Sequence, residues 1–362
     1  MTRIVLAPDS FKGTITAADA AIALAAGWAS VDPDAEFVYR PMADGGEGTV
    51  AAFAAAVSGS ALQPITVTGP AGGPVETSWL LLPDGTAVID LASTSGIELL
   101  DELLPWDADT TGLGQAIAAA LDHGATQIVV GIGSSASTDC GTGMLSALGA
   151  RFLDVDGASV RPGACGLGDI ATVDLSGLRT VPDVRVLTDV TNPLVGPRGA
   201  AAVFGPQKGL TGEEIPAVDA ALARFADLLG LDASLPGTGA AGGVGGALLA
   251  WGGTLTPGAS AVAELIGLRE AIADADVVIT GEGSYDGQSG DGKVPSFIAA
   301  LAQALGAVPM LAAGRITADA NTTIFTEAVS LTALAGSADR ALGEPAHWLH
   351  EAGQMLARAF RS

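Results

Sequence analysis

Short apolar runs and Ala-rich segments with helical character alternate at the start of the chain. Residues 3–8 and 36–41 predict strands, whereas residues 16–30 and 46–57 predict helices. Thr16 is a suitable N-cap for the first helix, because its hydroxyl can accept a bond from an N–H of the first turn. A strand–helix–strand–helix order is typical of a parallel α/β sheet.

The pattern changes in the middle of the chain and later returns. Residues 62–92 alternate apolar and polar positions between turns that contain Gly and Pro, which predicts antiparallel hairpins. Alternating strands and helices resume from Val277. The other predicted elements are helices near 111–122, 139–149, 212–230 and 295–305 and from about 337, strands at 127–132, 151–155, 184–188, 277–280, 308–312 and 323–329, and a loop that continues as a helix within 237–253.

We therefore predict an α/β protein with two domains. A Rossmann- or flavodoxin-like domain with a parallel sheet is built from both chain ends, residues 1–60 and 265–362. A mixed α/β domain, residues 61–264, is inserted between them. A length of 362 residues is ample for two domains.

Composition narrows the classes of function. The formal net charge is −24, so the chain lacks the basic footprint that nucleic-acid binding requires, and binding to an anionic membrane is disfavoured for the same reason. We find no apolar run of about 18 residues that would predict a transmembrane helix. The N-terminal residues are typical of a strand and not of a signal peptide. Together with only two cysteines, this predicts a cytoplasmic protein.

The chain has only three lysines, Lys12, Lys208 and Lys293, against thirteen arginines. Each lysine lies in a short Gly-rich or polar segment. A lysine supplies a compact point charge where a guanidinium fork will not fit, and a nucleotide phosphate is its natural partner. Chance placement in exposed loops is the alternative explanation.

Polar clusters follow three of the predicted strands. Ser10 and Lys12 follow the first strand, Asp189 and Asn192 follow the strand at 184–188, and Glu282 follows the strand at 277–280. Carboxyl ends of parallel strands meet at the active-site edge of a sheet, so these residues could share a site. Ordinary turn and capping chemistry would also place such residues there.

The segment from Gly131 to Ala136 reads Gly-Ile-Gly-Ser-Ser-Ala and lies between a predicted strand and a predicted helix. Backbone N–H groups at the start of a helix attract phosphate, and glycines such as Gly131 and Gly133 let an anion approach closely. Ser134 and Ser135 could donate hydrogen bonds to it. Asp139 could cap the following helix or approach a metal.

Two other Gly-rich runs match nucleotide-binding motifs in part, but each lacks a feature that its motif requires. The run from Gly237 to Gly242, which includes Gly239, fits GxGxxG but does not follow a strand. It could line a path for a nucleotide or allow close helix packing. The run from Gly287 to Lys293 fits GxxxxGK, but Val294 stands where a P-loop has Ser or Thr. Lys293 stays a candidate phosphate ligand.

Taken together, these segments resemble bacterial glycerate kinases of the type-1 family. They occur in the order of that family and span nearly the whole chain. The matching segments are Ala7-Pro-Asp-Ser-Phe-Lys-Gly13, Pro41-Met-Ala-Asp-Gly-Gly-Glu-Gly-Thr49, Gly131-Ile-Gly-Ser-Ser-Ala-Ser-Thr-Asp-Cys-Gly-Thr-Gly-Met144, Asp189-Val-Thr-Asn-Pro-Leu194, Gly199-Ala-Ala-Ala-Val-Phe-Gly-Pro-Gln-Lys-Gly209, Gly239-Ala-Ala-Gly-Gly243, Thr280-Gly-Glu-Gly-Ser-Tyr-Asp-Gly-Gln-Ser289 and Gly292-Lys-Val-Pro295.

The resemblance implies a two-domain α/β fold with the active site in a cleft between the domains. It implies transfer of the γ-phosphoryl group of ATP to D-glycerate, giving 2-phosphoglycerate and ADP, with Mg²⁺. D-Glycerate and ATP are then the partners. The sequence leaves the oligomeric state open, with a homodimer as one possibility.

With this chemistry, residues can be given roles. Asp189 and Lys12 are the predicted catalytic residues, and Asp189 would orient or deprotonate the C2 hydroxyl. Asp189 and Glu282 are candidate Mg²⁺ ligands. The predicted substrate and phosphate ligands are Ser10, Asp44, Glu47, Ser134, Ser135, Asn192, Lys208, Glu282 and Lys293, and the predicted nucleotide-binding residues are Gly131, Gly133, Gly239, Gly242, Gly243 and Asp286.

One departure from the family concerns charge. Ser284 and Tyr285 stand where the family has an Arg after Gly283, so Arg198 or Arg315 would have to replace it. Alternative functions are a glycerate 3-kinase, a kinase of a related small hydroxy acid, an NAD(P)-dependent oxidoreductase built on the Gly131 loop, and a non-catalytic nucleotide-binding regulator.

Overall fold

The structure is a computed structural model. Its described residues form a parallel sheet of five strands, a mixed sheet of six strands and two sheets of two strands each, together with helices. The structure describes residues 1–11, 13–180, 183–287 and 294–361. Lys12 and Lys293 lie outside these ranges, so the structure does not bear on the predictions made for them.

The strands are β1 (Arg3–Leu6), β2 (Glu36–Tyr39), β3 (Ala61–Thr68), β4 (Pro74–Leu81), β5 (Thr86–Asp90), β6 (Gln127–Gly131), β7 (Arg151–Leu153), β8 (Thr172–Asp174), β9 (Val184–Leu187), β10 (Thr254–Thr256), β11 (Val277–Thr280), β12 (Ser284–Tyr285), β13 (Val308–Ala313), β14 (Arg315–Ile316) and β15 (Glu327–Ser330).

The α-helices are α1 (Ala17–Ala29), α2 (Thr49–Ala56), α3 (Ala92–Ser95), α4 (Thr111–Asp122), α5 (Thr142–Ala147), α6 (Ala164–Leu167), α7 (Ala200–Phe204), α8 (Ile215–Leu229), α9 (Val244–Ala250), α10 (Gly258–Leu265), α11 (Leu268–Ala273), α12 (Val294–Leu305), α13 (Leu331–Ala335), α14 (Ala338–Gly343) and α15 (Pro345–Arg361), with short 3₁₀ helices at Ile97–Leu99, Pro206–Lys208 and Ala240–Gly243.

The chain divides into two compact units. The first, which we call the terminal unit, comprises Met1–Asp44, Ala51–Ser58 and Ala259–Ser362. The second, the insert unit, comprises Gly45–Val50 and Gly59–Gly258. Among the residues that the structure describes, no helix is both long and apolar enough to cross a membrane.

The terminal unit is built on a parallel sheet of five strands in the order β15-β13-β11-β1-β2. Its central strand β11 is buried at every position, as expected when helices cover both faces of a parallel sheet. Helices α1 and α15 pack together over a core that includes Leu24, Trp28, Leu349 and Leu356. The predicted parallel α/β sheet is confirmed.

The insert unit contains a mixed sheet of six strands in the order β10-β9-β6-β5-β4-β3. The strands from β10 to β5 are parallel, and β4 pairs antiparallel with both β5 and β3. The hairpins predicted within 62–92 are therefore confirmed. The core beside this sheet includes Phe152 and Phe225, whose rings meet edge to face with centroids 5.4 Å apart.

Several element boundaries differ from the predictions, and glycine or proline explains most of them. The predicted helix at 46–57 begins at Thr49, because Gly45 and Gly48 have positive φ angles. The C-terminal helix predicted from about 337 is two helices, since the chain leaves the α-helical conformation at Glu344, the residue before Pro345.

Close packing between α1 and α15 depends on two glycines. A Cβ on Gly27 would lie 1.9 Å from the carbonyl oxygen of His350, and a Cβ on Gly353 would lie 2.3 Å from that of Leu24. Because real Cβ atoms do not approach backbone atoms so closely, each helix needs glycine where the other crosses it. We infer that these positions set the distance between the two helices.

We predict that Gly353→Ala lowers the free energy of unfolding by about 1–3 kcal/mol or more, because the helices must separate to admit the methyl group. Thermal and urea denaturation would measure the loss. Gly343→Ala is the matched control: Gly343 is also helical and in the same unit, but its Cβ would meet nothing within 4 Å. That variant should be as stable as the wild type or slightly more so. Equal stability of both variants would contradict the packing argument.

Candidate active site

A pocket of about 490 Å³ lies at the carboxyl ends of β1, β11 and β13 in the terminal unit. This is the edge at which parallel α/β sheets bind ligands. Its size is typical of small-molecule sites. The pocket is lined by Asp9, Ser10, Phe11, Thr14, Asp44, Glu282, Gly283, Ser284, Asp286, Gly314, Arg315, Leu331, Thr332, Ala338, Ala341, Leu342 and Pro345.

Four of the predicted site residues line this pocket together: Ser10, Asp44, Glu282 and Asp286. Carboxylate oxygens are the ligands that Mg²⁺ prefers, and Mg²⁺ at phosphoryl-transfer sites usually takes one or two of them and completes its shell with phosphates and water. Among the described residues, no three His, Cys, Asp or Glu side chains converge into a metal site made by protein alone. The carboxylates that line the pocket could supply one or two oxygen ligands of this kind.

Arg315 also lies in this pocket, beside the position at which the sequence departs from the family. Its Nε and Nη2 atoms donate to Oγ of Ser284, at 3.3 and 3.1 Å. Arg198, the other candidate replacement for the missing arginine, belongs to the insert unit, where its backbone oxygen accepts a bond from Nδ2 of Asn192 at 2.8 Å. Of the two candidates, Arg315 is the one that lines the pocket.

A second group of predicted residues meets in the insert unit, around Lys208. This side chain is only 2% exposed, and its Nζ atom donates to Oγ of Ser135 at 2.7 Å and to the carbonyl oxygen of Ser137. Burial lowers the pKa of Lys208 to about 7, and the negative charge of Asp139 opposes that shift. Lys208 and Ser135, both predicted as ligands, thus bond to one another.

Asp139 is the centre of the loop that follows β6, and sequence reasoning gave it only a minor place. Its buried carboxylate accepts bonds from the hydroxyl of Ser137 at 2.9 Å and from the backbone N–H and hydroxyl of Thr110 at 3.1 and 2.7 Å. It also accepts the N–H groups of Gly141 and Gly143, each at 3.2 Å, at the start of α5. The capping alternative for Asp139 is therefore the one realised.

The helix that follows the Gly131 loop begins later than the predicted position near 139. Helix α5 begins only at Thr142, because Cys140 and Gly141 adopt positive φ angles. Ser134 also has a positive φ, of 60°. The loop therefore lies farther from a helix N-terminus than the sequence predicted, and its role in phosphate binding stays a prediction. The oxidoreductase alternative relied on the same strand–loop–helix geometry and loses its main support.

The glycines of this loop approach the chain's own backbone. A Cβ on Gly131 would lie 2.7 Å from the carbonyl oxygen of Gly45, and one on Gly133 would lie 2.5 Å from Cα of Gly46. The N–H of Gly133 also donates to the oxygen of Gly45 at 2.9 Å. Packing within the insert unit alone thus requires Gly131 and Gly133 to be glycine, and their role in nucleotide binding stays a prediction.

The glycines after 238 pack against the same loop or just beside it. A Cβ on Gly242 would lie 2.1 Å from the oxygen of Ser137, and one on Gly243 would lie 2.7 Å from Sγ of Cys140. Gly239 approaches the carbonyl oxygen of Pro193 in the same way, at 2.1 Å. Close packing, one of the two uses suggested for this run, is therefore observed, and the role of these glycines in nucleotide binding stays a prediction.

Asp189, the predicted base, follows β9 and is exposed. Its Oδ1 atom accepts the backbone N–H of Gly258 at 2.9 Å. Asn192 follows on the same segment, and Glu47 is exposed elsewhere in the insert unit. The two candidate metal ligands, Asp189 and Glu282, belong to different units, so their joint role stays a prediction.

A model described as the glycerate kinase family matches residues 4–361. The chain belongs to the glycerate kinase family. The resemblance in the sequence motifs is thereby confirmed, and with it the family's α/β fold.

Individual relatives agree with this assignment. A glycerate kinase of Bacillus subtilis strain 168 is 42% identical over 332 residues, which cover 88% of this chain and 86% of the relative. A glycerate 2-kinase of Escherichia coli strain K12 is 44% identical over 313 residues, covering 83% and 82%. A crystal structure described as glycerate kinase 2 from Salmonella typhimurium LT2 matches with a TM-score of 0.86 at 38% identity, covering 99% of this chain and 98% of that one.

We predict that Lys208 makes stability depend on pH. The folded protein releases the proton near pH 7, whereas the unfolded chain keeps it up to the ordinary value of 10.5. Between these values the unfolded state binds more protons, so the free energy of unfolding should rise with pH. Lys208→Met, which is close to Lys in length, should lack this contribution.

The measurement is Tm from pH 6.5 to 10 for both proteins. Because other groups titrate equally in the two proteins, the difference between the curves isolates Lys208. The wild type should gain stability relative to the variant as the pH rises. Parallel curves would mean that Lys208 stays protonated in the folded protein.

Proposed function

We propose that this chain transfers the γ-phosphoryl group of ATP to D-glycerate, with 2-phosphoglycerate and ADP as products. The observation that carries the proposal is the match to the glycerate kinase family over residues 4–361. The relative from Escherichia coli, named a glycerate 2-kinase, supports phosphorylation at C2. A glycerate 3-kinase, or a kinase of a related small hydroxy acid, is the alternative.

Phosphoryl transfer needs positioning, charge neutralisation and an acceptor for the hydroxyl proton. Asp189 is our candidate for that acceptor. It is an exposed carboxylate that follows a buried strand, and the N–H of Gly258 holds one of its oxygens in place. The carboxylate would orient the C2 hydroxyl of glycerate and take its proton.

Mg²⁺, when bound, would neutralise charge on the phosphate oxygens. Glu282 would be one ligand to it. Ser10, Asp44 and Asp286 line the same pocket as Glu282 and would bind substrate hydroxyls or nucleotide. The proposed roles of Lys12 in catalysis and Lys293 in phosphate binding concern residues outside the described part of the chain.

Lys208 would act through the loop and not on phosphate directly. Its ammonium bonds Ser135 and the backbone of Ser137, and it is almost entirely buried. It would therefore fix the conformation of the loop that carries Ser134, a predicted phosphate ligand. In this role Lys208 is a positioning residue.

The direct test is an assay of the purified protein with ATP, Mg²⁺ and D-glycerate in which the two phosphoglycerate isomers are resolved. We expect 2-phosphoglycerate and stoichiometric ADP. If 3-phosphoglycerate forms, the chain is still a glycerate kinase, but the hydroxyl that attacks ATP is the one on C3 and not the one on C2. Turnover of another hydroxy acid but not of glycerate would contradict the proposed substrate.

A second prediction concerns Asp189. Asp189→Asn keeps an oxygen for the N–H of Gly258 but cannot accept a proton, so kcat should fall by about 100-fold or more while Tm stays unchanged. Asp84→Asn is the matched control, since Asp84 is also an exposed Asp that accepts a backbone N–H, that of Thr86 at 2.9 Å. Near-normal kcat in the Asp189 variant would remove it as the base.

A further inference from the structure

The terminal-unit pocket poses an electrostatic problem for an anionic substrate. It is lined by four carboxylates, Asp9, Asp44, Glu282 and Asp286, in a chain of net charge −24. Both glycerate and ATP are anions, and a local cluster of donors must hold them against such a field. Among the described residues that line the pocket, Arg315 is the one with a basic side chain.

The backbone around Arg315 is held firmly. Strand β14 pairs in parallel with β12, with Arg315 in register with Ser284. The N–H groups of Gly314 and Arg315 donate to the carbonyl oxygens of Glu282 and Gly283, each at 3.0 Å. A Cβ on Gly314 would lie 2.4 Å from the oxygen of Gly283, so the two segments touch. The start of the arginine side chain is therefore fixed relative to the acids of the pocket.

The guanidinium group is oriented by a neutral partner. Its Nε and Nη2 atoms both donate to Oγ of Ser284. Ion pairs found in the described part of the chain involve other arginines, Arg3, Arg151, Arg179 and Arg361, and not Arg315. A guanidinium has five N–H donors, so most of them remain for a ligand. The serine hydroxyl thus aims the cation without neutralising it.

We propose that Arg315, aimed by Ser284, binds the anionic group of a substrate in this pocket. The ligand is a pair of oxygens on a carboxylate or phosphate, because the planar fork of arginine matches such a pair bidentately. The two sources are the carboxylate of glycerate and the phosphates of ATP. The proposal rests on the proposed kinase function, which the wild-type assay tests separately.

The test is the steady-state kinetics of Arg315→Gln and Arg315→Lys with each substrate varied in turn. Losing a charge-assisted contact should raise the KM of one substrate by about tenfold or more in the Gln variant. The Lys variant should recover part of this loss, because it keeps the charge but not the fork. Ser284→Ala should shift the same KM in the same direction by less. Tm should not change, which separates binding from a structural role.

The pattern of KM values identifies the source of the anion. A raised KM for D-glycerate alone assigns the carboxylate, and wild-type preference for glycerate over its uncharged amide should then shrink in Arg315→Gln. A raised KM for ATP alone assigns a phosphate. Either result supports the proposal.

Arg358→Gln is the matched control, since Arg358 is an exposed arginine of the same unit that bonds one neutral side chain, that of Gln354 at 2.8 Å. If Arg315→Gln changes both KM values no more than this control does, the proposal is overturned.

If the wild type does not phosphorylate glycerate, calorimetric titration of wild type and Arg315→Gln with ATP and with D-glycerate decides instead. If wild type and Arg315→Gln bind ATP with equal affinity and also bind D-glycerate with equal affinity, the role of Arg315 is overturned.

Discussion

The insert unit is organised by one constraint: the loop after β6 is buried but has no regular secondary structure. From Ser135 to Gly141 every residue of the loop is buried, so the polar groups there must find partners inside the protein. Asp139 accepts bonds from donors on its own segment and from Thr110, and Lys208 supplies donors for a hydroxyl and a carbonyl. The hydroxyl of Thr138 is the exception, a buried oxygen with no hydrogen-bond partner among the described residues.

Close backbone contacts at glycines also hold this loop in place, in addition to the hydrogen bonds of Asp139 and Lys208. At one end Gly131 and Gly133 lie against the backbone of residues 45–46, and at the other Gly242 and Gly243 lie against the loop. None of these four glycines has room for a Cβ. Such contacts leave the loop few alternative conformations. Ser134 and Cys140 in the loop, and Ala241 in the 3₁₀ helix that packs on it, have positive φ angles although none of them is glycine. Backbone strain of this kind persists only where the surroundings over-determine it. The loop is therefore held in shape before any ligand arrives.

The elements of the fold were largely predictable from the sequence, and the contacts of the site were not. Strands such as β11 are continuous apolar runs, and helices such as α4 carry a regular apolar face, so local pattern was enough. Lys208 and Ser135 are 73 residues apart, and nothing local indicates that they bond. The helix expected at 139–149 was too long because periodicity does not register the positive φ angles at Cys140 and Gly141.

The Gly-rich motifs show why sequence patterns are ambiguous about ligands. Glycine is required wherever another atom occupies the space that a Cβ would fill. That atom can belong to a bound phosphate or to a neighbouring peptide group of the protein. At Gly133 and Gly242 the neighbour is the protein itself. Charged residues carry a similar ambiguity, since Lys208 is buried among its own chain's oxygens whereas Arg315 is exposed in a pocket. The contacts of each residue in the folded protein distinguish a residue that holds the site in shape from one that can bind the substrate.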